Sequence, residues 1–350
     1  MYCRKTLIKN EKMPILKKTK ETAMIKIAMF DSKQYDMTGF DKYKTSDMKI
    51  KYFESKLTED SAALASGYDA VVVFVNDIVN RTVIEKLKSA GVKLIALRCA
   101  GFNNVDLSAA EDNQIKVVRV PAYSPHAVAE HAMALLLTSI RRTHKAYNRT
   151  RDFNFTLDGL VGFDLYGKTA GIIGTGKIGK IFIEICKGFG MKTIASDPYP
   201  DESADIAYVS NDELFAMSDI ISLHCPLTPD THHIIDANAI GKMKKGTVII
   251  NTSRGALIDT EALINGIKEK KIGAACLDVY EEEAEWFFKD YSSHIVQDDT
   301  LARLVSMPNV ILTSHQGFLT EEALNNIAKT TLDNIGSFLN DGTLKNEVTL

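Results

Sequence analysis

The chain has 350 residues and an ordinary globular composition, 45% hydrophobic and 25% charged, with a formal net charge of -3. That length favours two domains over one core. The small net charge gives no reason to expect a nucleic-acid partner, and no apolar run approaches the roughly 20 residues of a membrane span. Five cysteines without CxxC spacing are typical of reduced thiols in a cytoplasmic protein.

Residues 1–23 form a basic segment with little that could pack against a core. One interpretation is a disordered extension or translation from an upstream start, with Met13 or Met24 as the alternative start. The other is an organelle transit peptide, which should be rich in arginine and serine and poor in acidic residues. Lysine dominates here, serine is absent, and Glu11 and Glu21 intrude, so the composition favours the first interpretation.

From Met24 onward, short apolar runs alternate with amphipathic stretches, the pattern of a parallel sheet covered by helices. The first strands are predicted at residues 25–31, 50–54, 69–76, 93–98 and 116–120. A helix over 82–90 ends at Gly91, a favourable C-terminal cap. These elements predict a small doubly wound α/β domain of flavodoxin-like type over residues 24–123.

A long helix without glycine or proline is predicted over residues 126–152. Its first half is apolar on nearly every face, so it should be buried inside the chain or against another subunit. We expect it to cross between domains and to contact a second copy in a homodimer or larger homo-oligomer. His126 and His131 on this helix are interpreted as core or cap residues.

A second set of six strands is predicted at residues 169–174, 192–197, 220–224, 247–251, 273–278 and 309–313. With intervening helices they make a doubly wound dinucleotide-binding domain, expected over residues 124–318. A closing helix over 320–339 should return to the first domain. The first domain would then comprise 24–123 and 319–350, and a cleft would lie between two Rossmann-like domains.

A glycine-rich turn lies where a dinucleotide would bind. Gly174, Gly176 and Gly179 form a GxGxxG motif that follows an apolar strand and opens a helix over 177–188. They allow the tight turn, the approach of a pyrophosphate and the packing of helix on strand, respectively. Asp197 ends the next strand, where a carboxylate accepts hydrogen bonds from ribose hydroxyls. No arginine follows it directly, which favours NAD over NADP.

The other strand ends bring reactive side chains to the same rim, because ligands lie beyond the carboxyl ends of such strands. Arg254 follows the fourth strand, Asp278 ends the fifth, and His315 follows the last. An arginine can bind a carboxylate with two parallel hydrogen bonds, and a histidine can give a proton to a carbonyl oxygen. A carboxylate beside the histidine would hold its ring, but spacing does not decide between Glu281, Glu282 and Glu283.

The remaining candidate residues give weaker indications of a function. His232 and His233 are adjacent and should point apart on a regular element, so no metal site is predicted. Cys225 and Cys276 fall near strand ends, without a neighbour that would activate a thiolate.

The chain resembles the D-isomer-specific 2-hydroxyacid dehydrogenases from about residue 25 to its end. The motifs that carry the resemblance are 98–106 (RCAGFNNVD), 174–179 (GTGKIG), 224–228 (HCPLT), 251–259 (NTSRGALID), 278–281 (DVYE) and 315–316 (HQ). The glutamate-rich run at 281–285 and the basic segment at 1–23 depart from the family pattern.

The resemblance implies that the family's catalytic arginine, glutamate and histidine are Arg254, Glu283 and His315. Besides Arg254 and His315, the resemblance implies four residues that contact the substrate: Ala100, Gly101, Tyr123 and Phe318. It implies these NAD contacts besides the three glycines, Asp197 and Arg254: Lys177, Ile178, Cys225, Pro226, Thr231, Thr252, Ser253 and Asp278.

The implied reaction is reduction of a small 2-keto acid by NADH, with pyruvate and D-lactate as the first expectation. Alternatives within the family are reduction of hydroxypyruvate, glyoxylate or phenylpyruvate, or oxidation of phosphoglycerate. A nucleotide-sensing corepressor shares the fold and the triad but usually adds interaction tails. A Rossmann methyltransferase is disfavoured by the second α/β domain and by the charged rim.

Overall fold

The computed structural model describes residues 24–350, and the two interpretations of segment 1–23 lie outside the described residues. Two parallel sheets organise the described chain, one on each side of a cleft. No helix in residues 24–350 is long and apolar enough to cross a membrane.

The first sheet is built from short, buried apolar runs. Its strands are β1 (Ile25–Met29), β2 (Met48–Tyr52), β3 (Ala70–Val73), β4 (Leu94–Leu97) and β5 (Lys116–Val118), and its helices are α1 (Gln34–Tyr43), α2 (Arg81–Ser89) and α3 (Leu107–Asp112). The order β2-β1-β3-β4-β5, parallel throughout, is the flavodoxin-like order and confirms that prediction. Every residue of β3 and β4 is buried, as expected of strands covered by helices on both faces.

The prediction of one continuous helix over residues 126–152 is wrong, because two helices occupy this stretch. They are α4 (Pro125–Arg141) and α5 (Thr143–Arg151), and Arg142 between them is left-handed, with φ 52°. Eight residues of α4 are buried within this chain, whereas no residue of α5 is buried. Packing therefore does not hold α5 in line with α4. His126 is exposed, and Ser124 caps the helix instead.

The second sheet has one strand more than predicted. Its strands are β6 (Thr169–Ile173), β7 (Lys192–Ser196), β8 (Ala207–Tyr208), β9 (Ile220–Leu223), β10 (Thr247–Asn251), β11 (Ile272–Leu277) and β12 (Val310–Leu312). Its helices are α6 (Lys177–Gly188), α7 (Asn211–Met217), α8 (Ala237–Lys242), α9 (Thr260–Lys268), α10 (Glu283–Trp286) and α11 (Asp299–Ser306). The order β12-β11-β10-β9-β6-β7-β8 reverses at β6, the switch point at which dinucleotides bind. The added strand, β8, has only two residues and neither is buried, so it has no apolar signature.

The last helix, α12 (Glu321–Asp341), packs on the first sheet after the chain has completed the second. Ala328, Leu332 and Ile335 lie in a core with Ile27 and Phe40. The chain therefore crosses the cleft twice, between β5 and α4 and between β12 and α12. The residue limits given above for the two domains stay a prediction.

Candidate active site

The predicted substrate residues surround one cavity between the two sheets. Its volume is ≈ 140 Å³, and its lining includes Phe74, Arg98, Ala100, Gly101, Tyr123, Thr252, Arg254, Asp278, His315 and Phe318. A second cavity of ≈ 270 Å³ extends along the start of α6 and is lined by Ala100, Tyr123, Gly176, Lys177, Ile178 and His224, among others. Residues shared between the two linings make them neighbouring parts of one cleft.

Of the three candidate glutamates, Glu283 is the one that contacts His315. The Nδ1 atom of His315 donates to Glu283 Oε1 at 2.8 Å, and the two side chains are 17% and 18% exposed. The other oxygen, Oε2, accepts a bond from the backbone N–H of Tyr280 at 3.2 Å. Because Nδ1 is engaged by the carboxylate, Nε2 is the nitrogen left for a substrate. His315 is itself held in a left-handed conformation, with φ 54°.

Arg254 is placed by hydrogen bonds of its own loop. Its backbone carbonyl accepts from Asn251 Nδ2 at 2.8 Å, and its Nη1 donates to the Ser253 carbonyl at 2.7 Å. Gly101 packs directly against the guanidinium, because a Cβ there would collide with Nη2 and lie 3.5 Å from Cζ. The arginine from one sheet and the backbone of the other therefore meet in the cavity, as the sequence motifs suggested.

The glycine turn has the geometry that a pyrophosphate requires. Gly174 has φ 94°, and a Cβ there would lie 2.6 Å from the Cys225 nitrogen, so only glycine fits. A Cβ on Gly176 would meet no described heavy atom within 4 Å, which leaves open space at the N-terminus of α6. A helix N-terminus that faces open space is a favourable place for phosphate groups.

Asp197 supports the glycine turn as well as ending β7. Its Oδ2 accepts from the Thr175 backbone nitrogen at 2.6 Å and from Thr175 Oγ1 at 3.0 Å, and its Oδ1 accepts from the Tyr199 nitrogen at 2.8 Å. Burial opposes ionisation of this carboxyl, but these hydrogen bonds outweigh it and lower its pKa. The group is therefore an anion at neutral pH, as a ribose-binding carboxylate must be.

Further along the cleft, the remaining predicted cofactor residues border the same crevice. Thr252 is 8% exposed, and its Oγ1 is buried without a hydrogen-bond partner among the described residues. A buried hydroxyl with no protein partner fits a polar ligand group, such as a ribose hydroxyl. Ser253 Oγ donates to the Cys225 carbonyl at 2.7 Å, and Thr231 Oγ1 donates to the Pro226 carbonyl at 2.7 Å, so these residues hold the loops of the crevice in place.

The two cysteines of this region are unreactive, as predicted. Burial raises the pKa of Cys225 to about 11 and that of Cys276 to about 12. Both thiols therefore stay protonated at neutral pH.

The carboxylate of Asp278 is fully engaged by the protein. Its Oδ1 accepts from Thr313 Oγ1 at 2.6 Å and from the Gln316 nitrogen at 2.9 Å, and its Oδ2 accepts from the Gly317 nitrogen at 2.7 Å. His131 Nε2 lies 3.2 Å from the same Oδ1, so interpreting His131 as a core or cap residue missed this contact. Asp278 thus ties α4 and the loop after β12 together beside the cavity. Its predicted contact with the carboxamide of the cofactor stays a prediction.

The expectation that His232 and His233 point apart is wrong. The rings stack, with centroids 3.9 Å apart, because His233 is left-handed with φ 51° and the regular alternation of side chains is lost. His233 Nε2 lies 2.6 Å from Glu281 Oε1, so Glu281 pairs with this histidine and not with His315. The three side chains could offer ligand atoms within 4.8 Å of one another. Stacked, nearly parallel rings do not aim their lone pairs at one point, so the absence of a metal stays our prediction.

A buried arginine at the edge of the cavity was missed as a site residue. Arg98 is 1% exposed, pairs with Asp36 at 3.3 Å and lies 4.1 Å from the centroid of the Phe74 ring. It occurs within the RCAGFNNVD motif at the end of β4, so its position at the rim could have been inferred from the sequence.

A doubly wound sheet with a glycine-rich turn, joined at a cleft to an arginine and a histidine–carboxylate pair, defines an NAD-dependent oxidoreductase. The model of the family described as "D-isomer specific 2-hydroxyacid dehydrogenase, NAD binding domain" matches residues 133–317. This match confirms NAD as the cofactor predicted from the glycine turn and Asp197.

Named relatives match this chain along nearly its whole length. D-lactate dehydrogenase of Escherichia coli (strain K12) is 52% identical over 328 residues, which cover 93% of this chain and 100% of the relative. A 2-hydroxyacid dehydrogenase homolog of Haemophilus influenzae is 52% identical over 315 residues, 89% of this chain and 95% of the relative. The apo-structure of the Escherichia coli D-lactate dehydrogenase has a TM-score of 0.85 at 49% identity and covers 93% of this chain and 100% of that one. The chain belongs to the D-isomer-specific 2-hydroxyacid dehydrogenase family.

Proposed function

We propose that the protein is an NAD-dependent D-lactate dehydrogenase that interconverts pyruvate and D-lactate. The observation that carries the proposal is the convergence of Arg254 and the His315–Glu283 pair on one small cavity at the end of the dinucleotide crevice. The 52% identity to a protein named D-lactate dehydrogenase supports the choice of substrate.

The residues of the cavity suit each part of keto-acid reduction. Arg254 binds the substrate carboxylate through its planar guanidinium, with the backbone at Ala100 and Gly101 beside it. NADH, when bound in the crevice, would supply the hydride for the carbonyl carbon. His315 holds a proton at Nε2 and gives it to the carbonyl oxygen as that oxygen becomes an alkoxide. Glu283 accepts the hydrogen bond from Nδ1 and so keeps Nε2 directed at the substrate, and in lactate oxidation the same histidine takes the proton back.

The cavity offers an apolar wall to the side chain of the substrate. Its volume is ≈ 140 Å³, and aromatic rings form one wall. Phe318 packs against Phe74 at 5.7 Å and against Tyr123 at 6.3 Å between ring centroids, so this wall is braced on both sides. An apolar wall of this kind suits the methyl group of pyruvate, and the substrate panel below tests larger side chains.

The second candidate is a broader 2-hydroxyacid dehydrogenase, because several relatives carry only that general name. The deciding experiment follows NADH oxidation at 340 nm with pyruvate, hydroxypyruvate, glyoxylate and phenylpyruvate. We expect pyruvate to give the highest kcat/KM. Hydroxypyruvate or phenylpyruvate ahead of pyruvate by tenfold or more would favour the second candidate, and no turnover with any keto acid would refute both.

A second copy of this chain is the proposed partner. Residues 152–166 follow α5 and have no helix or strand, yet they expose the large apolar side chains Phe153, Phe155, Leu157, Val161 and Tyr166. Several large apolar side chains exposed along one short segment are typical of an interaction site. Light scattering should show a dimer or larger oligomer, and the pair Phe155→Ser and Leu157→Ser should weaken it. A wild-type monomer at micromolar concentration would refute this proposal.

We also propose that the enzyme acts in the cytoplasm. The four cysteines of the described part are free and buried, as suits a reducing compartment.

A further inference from the structure

Phe288 has an unusual backbone conformation close to the proposed proton donor. Its φ is 65°, in the left-handed region that bulky residues rarely adopt. Such conformations persist where the surrounding structure enforces them, and they cluster at active sites and closing segments. Phe288 does not line the substrate cavity, so its role must act through a neighbour.

The side chain of Phe288 bridges the two sides of the cleft. Its ring lies edge-on to Phe74, with centroids 5.6 Å apart and planes at 76°, and Phe74 follows β3 of the first sheet. On the other side, its centroid is 6.4 Å from that of His315, with the planes at 34°. Phe288 packs against the core clusters of both sheets. It is therefore a residue of the cofactor-binding half whose ring rests on the substrate half.

The segment that carries Phe288 also carries the partner of His315. Glu283 begins the single-turn helix α10, and the Phe287 nitrogen donates to its carbonyl at 2.9 Å. Phe287 is 6% exposed and anchors the turn in the core of the second sheet. One end of this short segment thus holds His315 through a carboxylate, and the other end rests against Phe74.

We propose that Phe288 is a positioning residue that couples closure of the cleft to alignment of the proton donor. In the closed cleft, Phe74 supports Phe288, and the segment 283–288 keeps Glu283 on His315 Nδ1. When the halves separate, the contact between Phe74 and Phe288 is lost and the segment is free to relax. The histidine is then held in its working orientation only when both halves enclose the substrate. This inference rests on the proposed function, because it assigns His315 the proton transfer.

Phe288→Ala tests the coupling, and Tyr291→Ala is the matched control. Tyr291 lies three residues beyond the segment 283–288 and packs on Trp286, with centroids 5.3 Å apart, and on His294, with centroids 6.2 Å apart. We expect Phe288→Ala to lower kcat for pyruvate reduction by about tenfold or more. The dissociation constant of NADH should stay within about twofold of the wild-type value. Phe288→Tyr, which keeps an aromatic ring, should retain most of the wild-type kcat.

A second readout separates positioning from general loosening of the segment. Trp286 is the single tryptophan of the chain and lies in α10, so its fluorescence reports on this segment alone. Addition of oxamate, a stable analogue of pyruvate, to the NADH-bound enzyme should protect Trp286 from acrylamide quenching. The protection should be lost in Phe288→Ala.

The outcomes distinguish this inference from the proposed function. A wild type without keto-acid reduction contradicts the proposed function itself. An active wild type whose Phe288→Ala variant keeps its kcat and its oxamate-dependent protection overturns the coupling. Equal losses in Phe288→Ala and Tyr291→Ala also overturn it, because they point to disruption of the whole segment. If Phe288→Ala does not fold, Phe288→Leu is measured instead, with the same expected order of activities.

Discussion

Replacing Gly101 by alanine should displace the substrate-binding arginine without disturbing the cofactor site. The new Cβ would collide with Nη2 of Arg254, whereas ordinary contact begins near 3.4 Å. The colliding atom is the end of a flexible side chain, so the guanidinium should retreat by about 1 Å and the fold should persist. The φ of Gly101 is not positive, so alanine adopts it without strain.

A 1 Å misplacement of a positioning group can cost about 100-fold in rate. We therefore expect kcat/KM for pyruvate to fall by roughly two orders of magnitude, equivalent to about 2.7 kcal/mol of transition-state stabilisation. If Arg254 binds the ground state and the transition state equally well, the fall in kcat/KM should come mostly from a higher KM. Affinity for NADH, measured by fluorescence titration, and the midpoint of thermal unfolding should stay close to wild type.

Two glycine variants control for the substitution itself. A Cβ on Gly241, in α8, meets no described atom within 4 Å, so Gly241→Ala should leave both substrates unaffected. Gly176→Ala should weaken NADH and spare the pyruvate contact, because its Cβ would enter the space assigned to the pyrophosphate. The reasoning about Arg254 fails if Gly101→Ala retains wild-type kcat/KM, or if its NADH affinity falls as much as its pyruvate affinity.

Three further predictions follow from single side chains. His315→Gln should lower turnover of pyruvate by about 10²- to 10⁴-fold with NADH binding intact; near-normal steady-state turnover would remove His315 from the mechanism. Asp197→Ala should raise the ratio of NADPH to NADH kcat/KM at least about tenfold, because a carboxylate repels the 2′-phosphate; an unchanged ratio would place cofactor selection elsewhere. Desolvation lowers the pKa of His224 to about 3 from its usual 6.5. As the pH falls from 6.5 toward 3, His224 becomes protonated in the unfolded chain but stays neutral in the folded protein. The free energy of unfolding therefore decreases over this pH range. In urea titrations from pH 7 to 4.5, His224→Gln should reduce the pH dependence of the free energy of unfolding by up to about 1.4 kcal/mol per pH unit. The same pH dependence in variant and wild type would contradict the lowered pKa of His224.

The order of the strands could be predicted where burial shapes the sequence. Continuous apolar runs such as β3 and β10 are recognisable because both faces of these strands are covered. The two-residue β8 lacks such a run, since it lies at the edge of its sheet. The break at Arg142 had no signal either, because an arginine in the left-handed region looks like any helical arginine in the sequence.

Within the site, motif positions were predictable but pairings were not. Arg254 and His315 follow strands whose ends must meet, so their approach to one rim follows from topology. The choice of Glu283 over Glu281 depends on the single turn of α10, which spacing alone does not specify. The stacking of His232 on His233 depends on one left-handed residue, and the rule of alternating side chains holds only for regular backbone.

The most direct test of the central claim is chiral analysis of the product that the wild-type enzyme makes from pyruvate and NADH. The proposal predicts stoichiometric oxidation of NADH and lactate that is entirely of the D configuration. L-lactate, a racemic product or no consumption of NADH with pyruvate would contradict it.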